Sequence, residues 1–187
     1  MDKQIKVPYV SQYQAVQEKY FALTSCGMVS MYMVLLYFKS IGKIAVTQGL
    51  EEMITIGRET DGGYQQGIGW IHDYFVTIAQ EHCLHSYRKE MIESLDEIIE
   101  SLNKDNPVVI STERRCLSSV SFHMVVLTGL RTNENNDVIG FFYNDPAMLI
   151  EKDGVQRYCT REDLLQYWRA KAIFFSAKKK NKRPHHV

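Results

Sequence analysis

"LTSCGMVSMYMVLLYF", residues 23–38, sets one cysteine and one glycine in front of an almost unbroken apolar run. Met28, Val29, Met31, Met33, Val34, Leu35, Leu36 and Phe38 leave no polar face, and a helix that is apolar all round is a buried one. The stretch predicts a central helix from Cys26 to about Lys39. Thr24 or Ser25 is its expected N-cap, because their side-chain oxygens can take up unpaired amide donors. The run is shorter than the ~20 apolar residues a bilayer demands. A thiol inside the run would read as packing. At its head, unpaired amides and the helix dipole favour negative charge, the environment that converts a thiol to a thiolate. Burial as a small hydrophobe is the competing reading of Cys26.

Outward from this helix, the chain changes character near its middle. Helices are expected at about Thr47 to Met53, from Trp70 to Gln80 (Trp70, Tyr74, Phe75 and Ile78 at helical spacing) and from Ser94 to Asn103. The glycine-rich GRETDGGYQQGIGW (57–70) reads as a loop. After Pro107, PVVIST (107–112), FHMVVLTGL (122–130), DVIGFFYND (137–145) and AIFFSA (172–177) are branched and aromatic, as strands are. RTNENND (131–137) is a turn, and Arg161 to Trp168 a helix before the last strand. Helices first and an antiparallel sheet second make an α+β fold. With 187 residues and 45% hydrophobic composition the chain fits one domain, residues 1–177. A domain of that size buries roughly 70% of its unfolded surface and needs no metal or disulfide to fold. The basic end KKKNKRPHHV (178–187) has almost nothing to bury and is expected to be a solvated, disordered tail.

Lys plus Arg equals Asp plus Glu, 22 each, so no net field recruits nucleic acid or membrane. Cys26, Cys83, Cys116 and Cys159 are widely spaced with no CxxC, which fits free thiols in a reducing cytoplasm. The start MDKQIKVPYV lacks the layout of a secretory signal, in keeping with a cytoplasmic location.

A nucleophilic cysteine needs a base, and the base needs an orienting group. His123 lies in the apolar strand FHMVVLTGL, on one face with Val125 and Leu127. If that strand and DVIGFFYND form a hairpin centred on Glu134, His123 faces Asp145 directly. A carboxylate there would raise the basicity of the imidazole and select its tautomer. Asn144, on the other face, is the alternative orienter. The bland readings are a core histidine and an NDP turn.

Four stretches in order, VPYVSQ (7–12), SCGMVSMYMVLLYF, PVVIST with FHMVVLTGL, and FFYNDPA (141–147), resemble the papain-like cysteine peptidases of the bacteriocin-leader, or double-glycine, type, especially their stand-alone bacterial relatives. GIGWIHDYF (67–75) and TREDLLQYW (160–168) are secondary matches, and the likeness runs to about residue 177. It implies a helix-headed cysteine nucleophile, a histidine base on the sheet and an acidic orienter, carried to Cys26, His123 and Asp145. It also implies a glutamine whose amide binds the developing oxyanion, a donor worth roughly 2.7–4 kcal/mol. Gln12 matches best, although it lies further ahead of Cys26 than the pattern has, and Gln17 is nearer. No cofactor or metal is implied.

The resulting expectation is a hydrolase, a cysteine peptidase or amidohydrolase, cutting a peptide or isopeptide bond through a thioester. An acyltransferase or transpeptidase with the same thiol, and a catalytically silent peptide-binding module, are the rivals. HCLH (82–85) lacks a second pair of ligands at zinc spacing and is set aside. His72 has two readings, a residue lining a cleft and a packed helix residue, and the second is preferred.

Overall fold

The computed structural model describes residues 1–116 and 119–178. Strand β1 (Asp2–Gln4) and two short helices, α1 (Gln12–Ala15) and α2 (Lys19–Thr24), lead into α3 (Cys26–Ser40). Helix α3 is the predicted buried helix: Met28, Val29, Met31, Met33, Val34, Leu35 and Phe38 are all in the core. Each such side chain contributes roughly 1.5–3 kcal/mol of transfer free energy, before the entropy of ordering it is subtracted. The helix stops where Gly42 takes a left-handed φ of +69°, its N–H donating to Lys39 O at 2.9 Å.

The expected cap is corrected. Ser25 holds the N-cap position, but its hydroxyl donates backward to Phe21 O, and no side chain caps α3. Thr24 Oγ1 likewise turns back to Tyr20 O at 3.0 Å. The first amides of α3 are thereby left to whatever sits at its head.

Helix α4 (Leu50–Glu59) begins later and runs further than the pattern at 47–53 suggested. Gly49 precedes it, and Gly57 is accommodated inside it because a Cβ there would stand 2.6 Å from Trp70 Cζ3. The glycine-rich loop that follows carries a small hairpin, β2 (Tyr64–Gln65) and β3 (Gly69–Trp70). Helix α5 (His72–Glu81), strand β4 (Leu84–Lys89) and helix α6 (Asp96–Asn103) complete the first half. His82 Nδ1 lies 2.9 Å from Ile78 O and Cys83 is exposed, so the HCLH stretch is a helix end turning into a strand.

The second half is β5 (Val108–Cys116), β6 (Ser119–Thr132), β7 (Val138–Asn144), α7 (Glu151–Gly154), β8 (Arg157–Thr160), α8 (Arg161–Tyr167) and β9 (Trp168–Ala177). Helix α8 starts on a capping box between Thr160 and Asp163. The strands form one antiparallel sheet in the order β4-β9-β5-β6-β7-β8, with β1 also paired to β6. Helix and antiparallel sheet are therefore both present, as the sequence indicated. Strands β1, β4 and β8 were not anticipated.

The hairpin register differs from the symmetric one. Leu127 pairs with Tyr143 and Val126 with Asn144, after irregularities near Gly129 and Thr132. Continued, this pairing displaces Asp145 by two residues from the position opposite His123. A displacement of two leaves every side chain on its face, whereas a displacement of one would have reversed them. Gly129 is required where β1 crosses: a Cβ there would lie 2.2 Å from Lys3 O. The side chain of Cys116 and the tail from residue 179 lie outside the described residues.

Candidate active site

Cys26 is the first residue of α3, half-buried at the head of a helix whose remaining turns are fixed in the core. Strand β6 passes this head with the main chain of Met124 turned toward it. Ser30 Oγ, one turn into α3, donates to Met124 O at 3.2 Å. Helix and strand are thus tied together at the residue next to His123. Gly27 keeps the contact close, because a Cβ there would fall 2.8 Å from Phe75 Cζ and 2.9 Å from Met124 Sδ.

His123 is buried, and its Nε2 is 2.7 Å from Asp145 Oδ1. Nδ1 is the ring nitrogen left for Cys26, which lines the same cleft and is among the groups that raise the imidazole. Asp145, just past the end of β7, is fixed from several directions. Its Oδ1 also accepts from Ala147 N–H at 2.9 Å, Arg157 Nη1 lies 3.6 Å from Oδ2, and its own N–H donates to Gly154 O at 2.8 Å. Tyr9 Oη donates to Asp145 O (2.9 Å) and Met148 O (3.0 Å), and Gln12 N–H donates to Pro146 O at 2.9 Å. The segment VPYVSQ is in effect a strap over the turn that carries the carboxylate.

The electrostatics follow from burial and neighbours. Burial alone would lower His123, but hydrogen bonds to Asp145 and Cys26 and their charges lift it to about 9. Burial alone would raise Cys26, but His123, by hydrogen bond and charge, and the amides of Met124 and Gly27 bring it below the usual thiol value. The two directions together favour the thiolate–imidazolium form of the pair over the neutral form. Cys159, by contrast, is raised to about 11 by burial and by the nearby Asp163 carboxylate.

The two glutamines and the alternative orienter fall elsewhere. Gln12 is buried, its Nε2 donating to Ala22 O at 2.8 Å, and its Oε1 has no hydrogen-bond partner. It is not in the wall of the cleft at Cys26. Gln17 is exposed, with its main chain tied to Glu51 Oε1 at 2.8 Å. Asn144 faces away from His123: Nδ2 donates to Val7 O (3.2 Å) and Oδ1 accepts from Gln156 N–H (2.9 Å).

The cleft over Cys26 has a volume of about 290 Å³. Thr24, Trp70, His72, Ser111, Phe122 and Arg169 line it along with Cys26 and His123. His72 is therefore a cleft residue and not the packed helix position expected of it. Its burial and the neighbouring Lys171 and Arg88 push it below its ordinary value. Trp70 Nε1 donates to Thr24 O at 2.8 Å, and Arg58 donates to Thr24 Oγ1 while its guanidinium carbon sits 4.1 Å from the Phe21 ring centre and 3.9 Å from that of Tyr64. These contacts fix the loop wall to the residues before Cys26. Ser111 and Arg169 carried no signal in the sequence, since each stood among ordinary strand residues.

Among the described residues no group of three or more His, Cys, Asp or Glu side chains is placed to hold a metal ion, and no helix is long and apolar enough to cross a membrane. No curated protein matches the chain. The model of the Peptidase_C39 like family matches residues 4–172, which spans everything from the strap at Tyr9 and Gln12 to strand β9. The chain therefore belongs to the Peptidase_C39-like family of papain-like cysteine peptidases.

Proposed function

We propose that the protein is a cysteine peptidase or amidohydrolase that cleaves a peptide or isopeptide bond, with Cys26 as nucleophile, His123 as acid–base and Asp145 as its orienting group. The observation that carries this reading is the Asp145–His123 hydrogen bond of 2.7 Å in the cleft that also holds the helix-headed thiol of Cys26. Family membership supports a peptide as the substrate class.

In the reaction, His123 Nδ1 holds the proton of Cys26 Sγ, and the thiolate attacks the carbonyl carbon. The carbonyl π pair moves to oxygen, and we assign the unpaired amides at the head of α3 as the donors that receive that charge. Gln12, the side-chain donor the resemblance implied, is buried with its Nε2 on Ala22 O and lies outside the cleft lining, so no side-chain oxyanion donor is assigned to it. Collapse expels the amine, which takes the proton from His123, and leaves a thioester on Cys26. Water then attacks the thioester, giving its proton to His123, and the carboxylic product departs with Cys26 restored. We further take residues 1–177 as one papain-like domain, and a reducing, cytoplasmic setting as the one that suits the free thiols of Cys26, Cys83 and Cys159.

The test is product analysis with a peptide library. Cleavage should yield free carboxylates, a brief acid quench should trap an acyl adduct on Cys26 by mass, and Cys26→Ser should abolish both. Recovery of acyl transfer to an added amine, with no hydrolysis in its absence, would overturn hydrolysis in favour of transfer.

A further inference from the structure

Outward from Cys26, past Trp70, His72 and Phe122, the cleft runs into a second cavity of about 350 Å³ that shares those three residues and Arg169. The other cations of this cavity are paired. Arg88 meets Asp73 at 2.5 Å and Glu90 at 2.7 Å, and Lys171 meets Glu90 at 3.1 Å. Arg169 is not: no carboxylate among the described residues pairs with it. Its Nη1 donates to Ser111 Oγ at 3.1 Å, and its guanidinium carbon lies 3.5 Å from the centre of the Phe122 ring. A ring and a hydroxyl hold the guanidinium in place while its remaining N–H donors stay available.

The main chain is bent to put it there. Ile110 pairs with Ala172 and Thr112 with Trp168, so the single residue Ser111 stands opposite Arg169, Ala170 and Lys171. Ala170 adopts φ +52°, a left-handed conformation that costs an L-residue of this kind about 1 kcal/mol or more. Trp168 Nε1 closes the bend on Lys171 O at 2.9 Å, and Ile92 N–H donates to Ala170 O at 3.1 Å. Bulges of this sort re-aim side chains beside active sites. This one brings Arg169 onto the same wall as Cys26 and His123.

We propose that Arg169 determines specificity by binding a carboxylate of the substrate close to the bond presented to Cys26. The proposal rests on the peptidase reading above and deepens it, naming an acidic side chain or a chain terminus as the recognised group. A planar guanidinium can take either in the same two-pronged way, and a half-enclosed cleft strengthens the attraction relative to open water.

The experiment labels the full chain with peptidyl chloromethyl ketones that differ only in carrying Glu or Gln at successive acyl-side positions, and reads the Cys26 adduct by peptide mass mapping. At one position the Glu probe should react about tenfold faster or more. Arg169→Met should erase that ratio, and Arg169→Glu should turn the preference toward a Lys probe. In a second arm, short peptides ending in a carboxylate or a carboxamide compete with labelling, and protection by the acid alone assigns the group to a chain terminus. Iodoacetamide, which needs no subsite, reports whether Cys26 is activated. Unselective, slow alkylation removes the peptidase reading and this proposal with it. Rapid alkylation of Cys26 without a carboxylate preference in either arm overturns this proposal alone. The Glu-to-Gln ratio of the unaltered protein needs no variant, so misfolding of either variant leaves the test intact.

Discussion

Replacing Asp145 by Asn keeps the size of the side chain and removes its charge. In the protein as it stands His123 is lifted from 6.5 to about 9 against the opposing effect of burial, and the Asp145 hydrogen bond is the foremost of the lifting causes. Each pH unit corresponds to about 1.4 kcal/mol, so the whole lift amounts to roughly 3 kcal/mol of preference for the imidazolium. Loss of an adjacent carboxylate is expected to remove about one to two pH units of it. The population of the thiolate–imidazolium pair relative to the neutral pair should then fall roughly 10- to 100-fold. The signs are opposite at the two ends of the pH profile. The proposed hydrolysis requires the thiolate at the low-pH end and the imidazolium at the high-pH end, so its expected window runs from the lowered Cys26 value up to about 9. In Asp145→Asn the upper limb moves down because the imidazolium is weaker held. The lower limb moves up because Cys26 faces a less persistent cation. Imidazole NMR titration of His123, with the pH dependence of Cys26 alkylation in parallel, reads both limbs. A His123 that titrates near 6.5 in the unaltered protein, or limbs that stay in place in the variant, would refute the reasoning.

Gly27→Ala should gain helix propensity of about 1 kcal/mol and lose more, because its Cβ would sit under 3 Å from both Phe75 and Met124; overpacking of this kind costs about 1–3 kcal/mol, read as a lower denaturant midpoint with slower Cys26 alkylation. Arg58→Ala removes the guanidinium lodged between Phe21 and Tyr64 and its bond to Thr24, which should lower stability by about 1–2 kcal/mol and slow peptide turnover through loosening of the loop wall. Gly129→Ala places a methyl 2.2 Å from Lys3 O. It should detach β1 at a cost of about 1–3 kcal/mol, with hydrogen exchange at the Ile5 amide, which donates to Thr128 O at 2.6 Å, accelerated well before global unfolding.

The parts of this molecule that were legible in its sequence are those written in strong periodicity. The unbroken apolar run placed α3 to within a residue, and alternation placed His123 on a definite face of a strand. The pairing of His123 with Asp145 could be anticipated even though the hairpin register could not, because a shift of two residues preserves facing. What escaped notice was set by tertiary contacts. Strands β1, β4 and β8 are short and polar enough to resemble loops, and they pair because longer strands offer them an edge. Helix α4 runs on through Gly57 because Trp70 and Tyr74 fill the space a side chain would need. Ser25 looked like a cap but bonds backward into α2, a choice no local pattern reveals. The bulge that turns Arg169 into the cleft is likewise a property of how β9 meets β5, and Ala170 is not a residue that advertises a left-handed backbone.

Competitive alkylation of the thiols at neutral pH, quantified by peptide mapping, reaches the central claim most directly. Cys26 should react first and Cys159, raised to about 11 and so only ~10⁻⁴ thiolate near neutrality, should lag far behind it; His123→Ala should abolish the advantage of Cys26. Equal labelling of Cys26, Cys83, Cys116 and Cys159, or a Cys26 whose rate is indifferent to the loss of His123, would contradict the account.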